Sequence, residues 1–268
     1  MKRFIFSLLL CELFALTGLA GDKTIKGHIV DDKGNNVEFV SIHVDSIYAV
    51  SDKEGYFSIT IPQGMTQKLR FSHISYQPLI VPYSVYNKKN DLRLTLKEKV
   101  NDLSAVAVVS SKKQKSIFGK GMRVPGDVAF KDIQNTTYEV GPLFTPNTDY
   151  YVRSASLRVQ ECTFTSCTIR MIIYEVKGKQ LIPIQHRPAY LHLSKVPDKK
   201  DFTLSLDEPV NLMNDHKYYV GIAVVHTNGT GELHFPAYFR KGCYRNLCTG
   251  RQKQFPVSMG VSLYGGRK

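Results

Sequence analysis

Tryptophan is absent from this chain, and so is any useful stretch of hydrophobic residues at helical spacing. Without stripes of that period a helical bundle or an α/β layer has nothing to pack with, so those classes fall away. Catalytic signatures are missing too. No G-x-S-x-G, H-E-x-x-H or phosphate-cradling glycine loop occurs, which leaves serine-hydrolase, zinc-protease and nucleotide chemistry without a motif. The histidines (His28, His43, His73, His186, His192, His216, His226, His234) are dispersed, with no pair at the spacing of a metal-binding helix. Past residue 20 no charge-free apolar run approaches the span of a bilayer, about 20 residues. The expectation is a chain with no catalytic role, no cofactor and no integral membrane span once mature.

What is present begins with an export signal. Lys2 and Arg3 precede a mostly apolar run over residues 4–19, and Gly18 and Ala20 place small residues before a cut ahead of Gly21. Residues 1–20 read as a signal peptide. Cys11 lies inside the apolar run behind Leu10, not behind a small residue, which argues against lipidation. The chain's 36 Lys and Arg against 23 Asp and Glu give +13; removing Lys2, Arg3 and Glu12 with the leader leaves 34 against 22, or +12. Such a balance favours acidic polysaccharide, lipopolysaccharide phosphate or a membrane surface. Export argues against nucleic acid.

Residues 22–100 alternate in short segments. Residues 26–31 form a strand ending in the turn Asp32-Lys33-Gly34-Asn35, and Val37, Phe39, Val40, Ile42 and Val44 continue as a second. Asp52 can cap a turn that Gly55 closes with positive φ, leading into residues 56–61. Residues 69–74 and 92–96 alternate in the same way. Six or seven evenly spaced strands predict a β-sandwich. The order GHIVDDKGNNVEFVSIHV, SDKEGYFSITI and LRFSHISYQ resembles the carboxypeptidase regulatory-like domain, also called transthyretin-like or peptidase-associated. Its markers here are Gly27, Gly34, Asp52, Gly55, Phe57, Phe71-Ser72 and Tyr76, with Ser75 where the family usually has Gly. The resemblance implies a non-catalytic module of Gram-negative envelopes, in the periplasm or at the outer membrane. Such modules precede TonB-dependent transporters, and residues 103–111 resemble the segment leading into a transporter's plug.

Residues 101–117, with the basic run Lys112-Lys113-Gln114-Lys115, read as a linker. Residues 118–268 then carry strand-like segments at 156–159, 168–174, 201–206, 217–224 and 257–264. The fold class expected is therefore all-β, two sandwiches in series, the second antiparallel, with a jelly roll as one arrangement that fits. Its spacing also resembles the C-terminal domain of uncharacterised proteins carrying the same first module, where Arg170 and Tyr174 would face inward. Cys162, Cys167, Cys243 and Cys248 remain after cleavage, each pair separated by four residues. In an oxidising compartment they are candidates for two disulfides, local pairing being favoured, with a four-thiolate zinc site as the alternative.

Tyr238, Phe239, Arg240 and Lys241 place two aromatics beside two cations and are the candidate ligand contacts. His226 and His234 flank a loop that could bring them near Glu232, and Asp207-Glu208 precede Pro209 in an apparent turn. Asp45-Ser46-Ile47 matches a short bacterial O-glycosylation pattern. The function expected is binding of glycan or another anionic envelope component through the second domain. Docking on an outer-membrane transporter or secretion assembly through the first is the alternative.

Overall fold

The computed structural model describes residues 22–99, 115–119, 121–131, 137–194 and 199–268. The expected signal peptide, the plug-like segment 103–111 and the start of the basic run lie outside these residues. Among the described residues no helix is long and apolar enough to cross a membrane.

The first unit consists of two small sheets. In one, β1 (Lys23–Asp31) lies between antiparallel β4 (Tyr56–Ile61) and parallel β7 (Asp91–Leu96). The other runs in the order β3 (Ile47–Val50), β2 (Ser41–Val44), β5 (Leu69–His73) and β6 (Tyr76–Val81). One helical turn, α1 (Tyr83–Tyr86), precedes β7. Alternation places the core: β4 buries Phe57, Ile59 and Ile61 between exposed Tyr56, Ser58 and Thr60. The sequence markers have mechanical roles. A Cβ on Gly27 would meet the Leu92 carbonyl oxygen at 2.3 Å and the Phe57 ring at 2.7 Å, so glycine alone lets the strands close. Asp52 Oδ1 accepts the Glu54 and Tyr56 amides at 3.0 and 2.8 Å, and Gly55 turns the chain at φ +82°.

One expected strand is shorter than its sequence suggests. β2 starts at Ser41 because Phe39 adopts φ 50°, a left-handed conformation that breaks an extended run.

The second unit begins with β8 (Lys115–Phe118), inside the stretch that reads as linker. Its smaller sheet has the order β16 (Lys200–Leu212), β11 (Tyr150–Val159), β20 (Val261–Arg267), β8. The larger, nine-stranded sheet is built on β18 (Glu232–Asn246), β10 (Tyr138–Phe144), β17 (Tyr218–Asn228) and β13 (Ser166–Lys177). Around them pair β9 (Met122–Lys131), β12 (Glu161–Cys162), β14 (Gln180–Pro183), β15 (Ala189–Ser194) and β19 (Gln252–Met259). Val152, Leu157, Leu204 and Leu263 from one sheet share a core with Ile169, Met171, Val220 and Phe235 from the other. The all-β architecture is as the sequence predicts. Residues 257–264, read as one strand, divide at Gly260: β19 stays in the large sheet and β20 crosses to the small one.

The two units pack directly on each other. β13 sends Ile169, Met171 and Ile173 into the sandwich core. Thr168, Arg170, Ile172 and Tyr174 point away from that core, yet all are buried. Part of the cover comes from the first unit. Phe39 packs on Ala223 and Val225, with its ring 4.8 Å from that of Tyr190. Ser75 Oγ donates to the His186 carbonyl, and the Arg170 guanidinium reaches the Ser41 hydroxyl at 3.5 Å.

Candidate functional site

The sequence-nominated aromatic and basic residues sit on a β-bulge. Phe239 pairs with Val257 and Gly242 with Phe255, so Arg240 and Lys241 together stand opposite the single residue Pro256. A proline cannot donate to the ladder, and a bulge is where a sheet tolerates it. The bulge re-aims the side chains around it. Phe239 (62% exposed) and Phe255 (40%) line one shallow groove of about 470 Å³, with Arg240, Lys241, Gln254 and Pro256. Met122, paired with Phe239 across the sheet and 71% exposed, extends the apolar surface. The Arg240 guanidinium lies 3.8 Å from the Phe118 ring centroid, and the Lys253 ammonium lies 5.1 Å from that of Phe255. Arg240 Nη1 is buried with no hydrogen-bond partner.

Three of the four nominated contacts therefore meet in one groove. Tyr238 does not join them. Strand alternation puts it on the opposite face from Phe239, where it is 9% exposed with the Arg123 guanidinium 6.0 Å from its ring. Phe255, Lys253 and Met122 escaped the sequence reading. They lie 14, 12 and 117 positions from Lys241, Lys241 and Phe239, and only strand pairing assembles them.

All four cysteines are thiols in this structure. Cys162 and Cys167 face each other across a turn with Sγ atoms 3.9 Å apart, against about 2.05 Å for a disulfide. Their contact lowers the Cys162 pKa to about 7 and raises that of Cys167. Cys243 packs against Leu143, Ile172, Tyr174 and Tyr219, whereas Cys248 lies in the turn between β18 and β19. Cys162 pairs with Leu233, ten residues before Cys243 along β18. At about 3.3 Å per residue that separates the two pairs by about 30 Å. The four-thiolate zinc alternative and the crossed disulfide pairings are thereby excluded.

Other nominated residues separate as well. His234 Nε2 lies 2.7 Å from Glu232 Oε2, which also pairs with Lys131 at 2.9 Å, while His226 is exposed on β17. Asp207 and Glu208 fall within β16, not on a turn between elements, where residues 206–209 bulge out opposite Arg153. There they line a cleft of about 230 Å³ with His186 and Arg187. Asp45 and Ser46 form the exposed tip of the β2–β3 hairpin.

No curated protein matches the chain. Among solved structures, one described as "Structural basis for the promiscuous specificity of the carbohydrate-binding modules from the beta-sandwich super family" is similar at 10% identity. That likeness covers 80% of this chain and 95% of the other with a TM-score of 0.21, too loose to carry an argument. Residues 25–108 match the family model of the CarboxypepD_reg-like domain, and the strands of the first unit are where that likeness lies.

Proposed function

We propose that the chain is an exported, non-catalytic envelope module that holds a glycan or another anionic polymer in the Phe239–Phe255 groove of its second unit. The observation that carries this reading is the groove itself: two exposed aromatic rings and an exposed methionine flanked by Arg240, Lys241 and Lys253. A sugar ring presents an apolar C–H face that stacks on such a platform, while cations at the rim meet carboxylate, sulfate or phosphate substituents. The net positive charge adds long-range attraction to the same class of polymer.

The test is binding of the full chain to envelope polysaccharides, peptidoglycan and lipopolysaccharide at low and high salt. Phe239→Ala and Phe255→Ala should each weaken salt-resistant binding about five-fold, the loss of about 1 kcal/mol of stacking. Lys241→Ala should act mainly at low salt. Binding that disappears at high salt and ignores both phenylalanines would reflect net charge alone. Absence of any binding would favour docking of the first unit on an outer-membrane protein. That alternative has less surface to use, because Phe39, Ser41 and His73 already face the second unit.

A further inference from the structure

A second cavity, of about 250 Å³, opens where the two units meet. The first unit contributes Ser41, Ser72, His73 and Lys99 to it, and the second contributes Arg170 and Arg245. Three of these six residues are cations, and their counter-charge is incomplete. Arg245 donates to Glu139 Oε1 at 3.1 Å, while Tyr174 donates to Glu139 Oε2 at 3.2 Å, so that carboxylate is engaged. Arg170 is 6% exposed, its Nε has no hydrogen-bond partner, and its contact to Ser41 Oγ is long at 3.5 Å. Among the described residues no carboxylate makes a direct ion pair with Arg170 or Lys99, and Glu139, held by Arg245 and Tyr174, acts on Arg170 from farther off. Lys99 Nζ spends one of its three donors on the Ile74 carbonyl at 3.0 Å.

An isolated buried charge is costly, and proteins pair it, neutralise it or use it. Neutralisation is closed to a guanidinium, which stays protonated at any physiological pH. The tyrosines around Arg170 (Tyr48, Tyr174 and Tyr190) have pKa values raised, chiefly by burial, and supply no negative charge. His73 reports the same positive field: burial first, then Arg170, Lys99 and Arg187, hold its pKa down to about 3. We infer that this cavity is a binding site for one oxyanion group, a phosphate, sulfate or carboxylate held between Arg170 and Lys99. It stands apart from the aromatic groove and does not depend on the function proposed for that groove. Because both units supply the cations, an occupant ties them together.

The experiment is calorimetric titration and thermal unfolding of the full chain with inorganic phosphate, sulfate or glucuronate. Chloride at the same ionic strength is the control. Saturable one-to-one binding is expected, and a ten-fold excess over Kd should raise the unfolding midpoint by about 4 °C. Lys99→Gln, at a half-buried position, should weaken binding at least ten-fold, and Arg170→Met should abolish it, while Phe239→Ala leaves it intact. Binding of phosphate and sulfate marks a free-anion site, and binding of glucuronate alone marks an acidic sugar; either supports the inference. It is overturned if none of the three stabilises the chain beyond chloride, or if Lys99→Gln binds as tightly as the parent. Lys99→Gln keeps the test decisive should Arg170→Met fail to fold.

Discussion

Acid should loosen this protein through His73. The Ser75 amide donates to His73 Nδ1 at 3.2 Å, so the ring proton sits on Nε2, which faces the Tyr190 hydroxyl at 3.4 Å. Tyr76 packs against the ring, and Arg170, Lys99 and Arg187 are the charges acting on it, all cations throughout the relevant range. The folded pKa of about 3 lies below the ordinary value of 6.5. A depressed pKa means that the unfolded chain takes up a proton on acidification while the folded one does not. Stability from this residue is thus complete above pH 6.5 and lost as pH falls toward 3. At pH 5 the loss is about 2 kcal/mol, and it is insensitive to the folded pKa so long as that stays below about 4. Denaturant unfolding of the parent and of His73→Asn, in chloride buffer from pH 7.5 to 5, reads it directly. The asparagine keeps an acceptor for the Ser75 amide and cannot titrate. Contributions from His43 and Glu38 occur in both proteins and cancel. The parent should lose about 2 kcal/mol more than the variant across the range. Parallel profiles would refute the reasoning.

Phe39→Ala should cost about 3–5 kcal/mol, measured by urea unfolding, because the ring is 1% exposed between Ala223, Val225 and Tyr190. Phe39→Gly should be no worse than Ala, since glycine accepts the positive φ freely; a much larger loss would contradict this. At pH 7.5 iodoacetamide should alkylate Cys162 well ahead of Cys167, whose thiol is buried and held protonated by its neighbour. Equal rates, read by peptide mass mapping, would remove the asymmetry.

The first unit was legible because each of its signals is local. Asp52 and Gly55 sit three residues apart and write one turn, and alternation over residues 56–61 names the buried face without reference to anything distant. Phe39 was not legible. It continues the alternation of Val37 and reads as a strand residue, and the surface that draws it into φ 50° belongs to the other unit. β18 was missed as an element because Pro236, Gly242 and the bulge at Arg240-Lys241 disguise its 15-residue run. The groove was half visible for the same reason: its β18 side is contiguous in sequence, while Phe255 and Met122 arrive by pairing. Arg170 was read as inward-facing and is indeed buried, but against the first unit, outside its own sandwich core.

The passage of the chain from β19 to β20 at Gly260 has a consequence for how the molecule is made. β20 is the last described strand in chain order, yet it lies inside its sheet, flanked by β11 and β8. Until it is delivered, β8 has no hydrogen-bonded neighbour and β11 presents an open ladder edge. The smaller sheet of the second unit therefore cannot assemble progressively from its N-terminal side, and its closure waits on β20. During synthesis the waiting edges are templates for pairing with other chains, a hazard that grows with every delay. A sheet closed by β20 leaves the β8 and β11 edges open for the whole interval before β20 pairs.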